Sequence, residues 1–167
     1  MYALDFAGRG LLRIEELPHV GDVILDDDEE RLRRLLTDME RTLNERARLF
    51  ADARAGSLPE FRALSGQRLA RQYLLIDGLS AFYDAHDNAG LGRLTQIVQR
   101  MIREGRQFGM HVVAATTRRQ DAGTAFSRAF NRWIILRQGG LDDYRNLEVA
   151  TDVLTEDSPA GRAIVGR

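Results

Sequence analysis

Tyr73-Leu74-Leu75-Ile76-Asp77 and, about one helix later, Gly109-Met110-His111-Val112-Val113-Ala114-Ala115-Thr116-Thr117-Arg118 decide the fold. The first segment is a short apolar run closed by an acid and then Gly78. The second ends in two hydroxyls and a cation. Continuous apolar runs of this length, bounded by turn residues, suit strands covered on both faces, as in a parallel sheet. Between them Leu91, Leu94, Ile97, Val98, Met101 and Ile102 recur three or four apart, the pattern of an amphipathic helix, and Gly109 falls where a left-handed cap would end it.

Working outward, Met1–Phe6 reads as a strand turned by Gly8-Arg9-Gly10, and Val23-Ile24-Leu25 as a brief second strand. Asp26-Asp27-Asp28-Glu29-Glu30 opens a long helix. Acids in a first turn stabilise the positive end of the helix dipole, so this run is read as a solvated helix start, not a metal site. The helix is expected to bury Leu32, Leu35, Leu36, Met39, Leu43, Ala47 and Phe50 and to end at Ala55-Gly56. Ser57-Leu58-Pro59-Glu60 is a capping box opening a short helix through Leu64. Tyr83 through Gly92 has loop composition. Ala122–Phe130 reads as a helix, Trp133–Leu136 as a buried strand, Leu141–Leu147 as one or two helical turns, and Arg162–Val165 as a last strand. The fold expectation is α/β, three-layer, with a mostly parallel sheet. The abrupt start on a strand suggests a single domain over 1–167 that is N-terminally truncated.

Bulk properties narrow the function. A chain of 167 residues, 44% hydrophobic and 29% charged, has the composition of a folded domain. A net charge of -1 gives no general attraction to DNA or anionic lipid. There is no cysteine, and His19, His86 and His111 lack metal-ligand spacing. No apolar run approaches the roughly 20 residues that cross a bilayer, and no signal-peptide layout opens the chain. A cytoplasmic location is expected. All 24 basic residues are arginine, so a phosphate-gripping Gly-x-x-x-x-Gly-Lys-Ser/Thr loop cannot be drawn from these residues.

Acids at the C-terminal ends of strands lie where open α/β sheets bind ligands, and Asp77 and Asp5 both fit. Asp77 could equally cap the following turn through an Asx hydrogen bond. Thr116, Thr117 and Arg118 place hydroxyls and a guanidinium at the same edge, a set suited to a terminal phosphate. A plain strand-to-helix junction with exposed arginines is the alternative.

Taken together, these segments resemble the FtsK/SpoIIIE family of motor ATPases, and more closely the EccC-like ATPase modules of type VII secretion. Tyr2–Leu11 is similar to the strand and Gly-rich turn after the P-loop helix. Leu17-Pro18-His19-Val20-Gly21 is similar to a segment of the secretion branch at that position. Tyr73–Gly78 resembles the Walker B strand in its Asp-Gly form, and Gly109–Arg118 the sensor strand. Asp142-Asp143-Tyr144 and Pro159-Ala160-Gly161-Arg162-Ala163 resemble the C-terminal signatures.

The resemblance implies a P-loop fold, ATP and magnesium in an intact module, and Asp77 holding magnesium through water. It also implies Gly78, Thr116, Thr117 and Arg118 beside the nucleotide, and an arginine acting on a neighbour's nucleotide. Arg46, in Glu45-Arg46-Ala47-Arg48, is the candidate for that last role. Implied partners are neighbouring ATPase modules in a hexameric ring and a secreted protein substrate, with membrane attachment only through segments outside this sequence.

Departures from the family pattern are the missing P-loop, Gly78 where a catalytic glutamate would stand, and Thr117 in place of a sensing glutamine. They point to a degenerate module acting in assembly, regulation or substrate docking, binding no nucleotide by itself and inactive alone. A fragment of a FtsK-like DNA translocase of cell division is the alternative, against which stand the balanced charge and the absence of Ala-Thr-Gln-Arg-Pro. A nonenzymatic α/β interaction domain is a further one.

Overall fold

A computed structural model describes residues 1–87, 92–117, 128–147, 149–155 and 157–166. Strands β1 (Tyr2–Asp5), β2 (Asp22–Leu25), β3 (Gln72–Asp77) and β4 (Met110–Ala115) form one sheet in the order β2-β1-β3-β4. All three pairings are parallel. Helices α1 (Glu29–Asp52), α2 (Leu58–Ser65), α3 (Leu79–His86) and α4 (Arg93–Glu104) connect them, and a 3-10 turn over Gly105–Phe108 leads into β4. Strand β5 (Trp133–Ile135) pairs antiparallel with β6 (Ile164–Gly166) in a separate two-stranded sheet, with α5 (Leu141–Asn146) between them in the chain. The chain is therefore α/β with a four-stranded parallel sheet, as its apolar runs predict.

Alternation along the strands divides their side chains between two faces. Leu4, Ile24, Leu74, Ile76 and Met110 point to one face. There they form a single core with Leu32, Leu36, Met39 and Leu43 of α1, Leu79 and Phe82 of α3, and Ile97, Val98 and Met101 of α4. On the opposite face Ala3 and Val23 are buried, whereas Tyr73 and Val113 are 39% and 54% exposed. A second small core, of Phe50, Leu58 and Phe61, ties the end of α1 to α2.

The local signals behave as their chemistry requires. Asp28 caps α1 by accepting from the Arg31 N–H (3.1 Å), and Glu30 pairs with Arg34 one turn on (2.8 Å). Ser57 accepts from the Glu60 N–H as the capping box requires, while the Glu60 carboxylate reaches one residue past the cap to the Gly56 N–H (2.8 Å). Gly109 has φ 73° at the end of the 3-10 turn.

Three expectations fail. Residues 83–86, read as loop, are the second half of α3: Leu79 and Phe82 bury one face of it, and the His86 ring stacks on Phe82 at 5.0 Å. Packing of those two apolar residues outweighs the local loop composition. Strand β5 is not buried throughout, since Ile134 is 72% exposed, Trp133 half-buried and only Ile135 buried. In α1 the buried position is Arg46, with Ala47 only half-buried. Most of the helix expected over 122–130, and Leu91, lie outside the described residues.

Candidate functional site at the C-terminal edge of the sheet

The register sets Asp5, Asp77 and Ala115 side by side at the C-terminal ends of β1, β3 and β4. Asp5 and Asp77 project to the same face of adjacent strands, which lie about 4.8 Å apart. Two carboxylates therefore share one corner, but they have different surroundings.

Asp5 is 2% exposed and is consumed by its own loop. Its Oδ1 accepts from the Ala7 and Arg9 N–H groups (3.2 and 3.0 Å), and its Oδ2 from the Leu11 N–H (2.8 Å). Burial alone would raise its pKa, but these backbone donors, with Gly8, outweigh it and hold the carboxyl below the usual range. The turn over Gly8-Arg9-Gly10, with φ 124° at Gly8 and 66° at Arg9, is thus an anion nest already filled by a side chain of the protein. The stability that Asp5 contributes is fully present above its unfolded pKa of about 3.9 and is lost as pH falls through the lower folded value. Asp5→Asn, which leaves the Leu11 N–H facing an amide, is expected to cost about 2 kcal/mol at neutral pH. Denaturation of both proteins from pH 7 to 3 should show the difference shrinking with acid; a constant difference would exclude the carboxylate as its source.

Asp77 is only partly buried, and among the described residues its carboxylate takes no hydrogen bond and no ion pair. The Asx cap is not formed: α3 begins at Gly78 with no side-chain cap, and it is the Asp77 backbone carbonyl that receives the Phe6 N–H (2.9 Å). Beside it, the Thr116 hydroxyl lies 3.4 Å from Ser80 Oγ. Thr117 is exposed, and Arg118 lies outside the described residues.

Gly78 has φ 78°, and a Cβ built there would meet the Phe6 carbonyl carbon and oxygen at 2.9 Å and the Ala7 nitrogen at 3.2 Å. No side chain fits without moving backbone. Gly78 is therefore held in place by the fold.

Arg46 is placed elsewhere. It is 5% exposed, with Nη1 donating to the Phe108 carbonyl (2.8 Å), Nη2 to the Ala70 carbonyl (2.9 Å), and Nε unpartnered. Burial, and then the Arg62 charge, lower its pKa. Met39, Leu43, Arg46 and Phe50 form one buried stripe of α1, and their spacing was the available signal.

An intact module would hold ATP and magnesium here, and the residues present fit only part of that group. Asp77 and Thr116 supply oxygens of the kind magnesium takes through water. Among the described residues no group of three or more histidines, cysteines or acids could hold a metal. The Gly8-Arg9-Gly10 turn offers no phosphate cradle, because the Ala7, Arg9 and Leu11 N–H groups are spent on Asp5.

No family model matches the chain. It is 28% identical over 96% of its length to the ESX-1 secretion system protein EccCb1 of Mycolicibacterium smegmatis. It is 26% identical over 71% of its length to the type VII secretion system protein EssC of Staphylococcus aureus. The chain spans 27% of the first of these relatives and 8% of the second. Among solved structures, "EssC (ATPases 2 and 3)" from Geobacillus thermodenitrificans superposes with a TM-score of 0.79 at 19% identity, covering 99% of this chain and 30% of that one. Thermomonospora curvata EccC (ATPases 2 and 3), solved in complex with a signal sequence peptide, gives 0.73 at 24% identity, covering 89% and 28%. At such identities the superpositions establish the fold, that of a P-loop ATPase domain, and the sequence matches carry the kinship. In sequence the chain is similar to a segment of the secretion-system proteins EccCb1 and EssC, and in fold to the ATPase domains of EssC and EccC.

Proposed function

We propose that this chain serves as a degenerate module of a type VII secretion motor, acting in assembly, regulation or substrate docking instead of hydrolysis. The observation that carries this reading is the Gly78 backbone, packed at 2.9 Å against the Phe6 carbonyl where a catalytic base would need space for a side chain. The self-filled turn at Asp5 supports it. Its partners are then the neighbouring ATPase modules of a hexameric ring and a secreted protein, on the cytoplasmic side of a membrane. No helix among the described residues is long and apolar enough to cross that membrane.

Calorimetric titration of magnesium ATP into the chain tests the reading. No measurable heat of binding is expected. Micromolar binding that disappears in Asp77→Ala would overturn the degenerate assignment and restore a working site at this edge.

A further inference from the structure

At the other end of β4, away from Asp77 and Thr116, three arginines converge. Arg103 closes α4, Arg106 lies in the 3-10 turn that follows, and Arg128 comes from the segment before β5. With Ile102, Ala129 and Asn131 they line a cavity of about 510 Å3. None of the three guanidinium groups has a hydrogen bond or ion pair among the described residues. Several arginines on α1 and α4 are instead held by acids: Arg100 by Glu104 (2.9 Å), Arg93 by Glu40 (2.8 Å) and Arg34 by Glu30 (2.8 Å). The uncompensated charge reaches into the sheet. His111, at the start of β4, has its pKa lowered by burial and then by the Arg71 and Arg106 charges.

Unpaired cations gathered in a concavity repel one another, and an anion binding there would relieve that repulsion. The planar fork of guanidinium suits oxyanions, and carboxylates in particular can be gripped by two parallel bonds. The shape of the site discriminates among anions. A nucleic acid needs a track of phosphate contacts, and an anionic membrane needs a broad basic face. Here the net charge is -1 and the site is a recess with an aliphatic wall and one amide. We propose that this recess binds the carboxylates of an acidic peptide segment, two of them flanking an apolar side chain that rests on Ile102 and Ala129. The site stands apart from the sheet's C-terminal edge and does not depend on whether nucleotide binds there.

The test uses a blocked, fluorescently labelled hexapeptide of alternating glutamate and leucine, with inorganic pyrophosphate and a short oligothymidylate as competing probes. Saturable peptide binding with Kd on the order of 100 µM is expected. It should weaken at least tenfold in Arg103→Gln/Arg106→Gln and in Arg128→Gln, all exposed positions, and stay unchanged in Arg41→Gln, on α1. The His111 imidazole, followed by NMR, should titrate at higher pH when the peptide is bound. Absence of saturation at millimolar peptide would overturn the proposal. So would equal affinity in the arginine variants, an unmoved His111, or tighter binding of pyrophosphate or the oligonucleotide.

Discussion

Gly78→Glu is expected to lower the stability of the protein by about 4 kcal/mol and to add no ATP hydrolysis. The left-handed backbone at φ 78° costs a side-chain-bearing residue roughly 1–3 kcal/mol by itself. The Cβ adds a contact of 2.9 Å with a carbonyl that cannot swing aside, because Phe6 is bonded through its N–H to the Asp77 carbonyl. Relief requires β1 and β3 to separate at the edge where Asp5 and Asp77 meet. For a chain of this length the loss corresponds to a fall in Tm of about 10 °C. Gly78→Ala should show most of the effect, since the Cβ and the backbone angle are its cause. A Gly78→Glu protein that melts with the parent and turns over ATP would show that the loop accommodates a base, and the proposed function would fail with it.

Arg46→Ala is expected to cost about 3–4 kcal/mol, read as a shift in urea midpoint at constant slope. Two carbonyls, of Phe108 and Ala70, lose their donor inside the protein, and a large side chain leaves a void between α1 and the connector before β3. Arg62, which donates to the Leu69 carbonyl, anchors the same connector and cannot replace it. Arg46→Lys should recover only part of the loss, because a single ammonium cannot span the two carbonyls. A surface arginine waiting for a neighbour's nucleotide would give a different result: undiminished stability in Arg46→Ala. That outcome would return Arg46 to the role its sequence neighbourhood first suggested.

The parallel core was legible because apolar runs ended by acids, helices spaced three and four, a capping box and a left-handed glycine all obey local rules. Leu74, Ile76 and Met110 could be read as buried from the runs alone. The errors arose where a residue's type and its neighbours disagree. Arg46 looked solvated because arginines usually are, and only the facing carbonyls of distant residues 70 and 108 make its burial tolerable. Residues 83–86 looked like loop because Asp84 among them and Asp87 after them are turn formers, while the Phe6 ring that packs on Phe82 and His86 comes from a distant part of the chain.

At the candidate site the division is sharper. Asp77 and Asp5 were equivalent in sequence, each an acid at a strand end. Three-dimensional structure separates them, turning Asp5 onto four backbone amides and leaving Asp77 without a partner among the described residues. The three arginines of the cavity gave no linear signal, because Arg128 lies far along the chain from Arg103 and Arg106.

The amino-acid sequence by itself determined the strand-and-helix alternation, the all-arginine basicity and the acid-glycine ending of β3, since each depends on periodicity or identity over a few residues. Only the tertiary structure decided that Gly78 cannot carry a side chain, that the Gly8-Arg9-Gly10 turn is already filled, and that Arg46 is internal. Those properties are set by which backbone atoms come within about 3 Å, and that proximity belongs to chain segments widely separated in sequence.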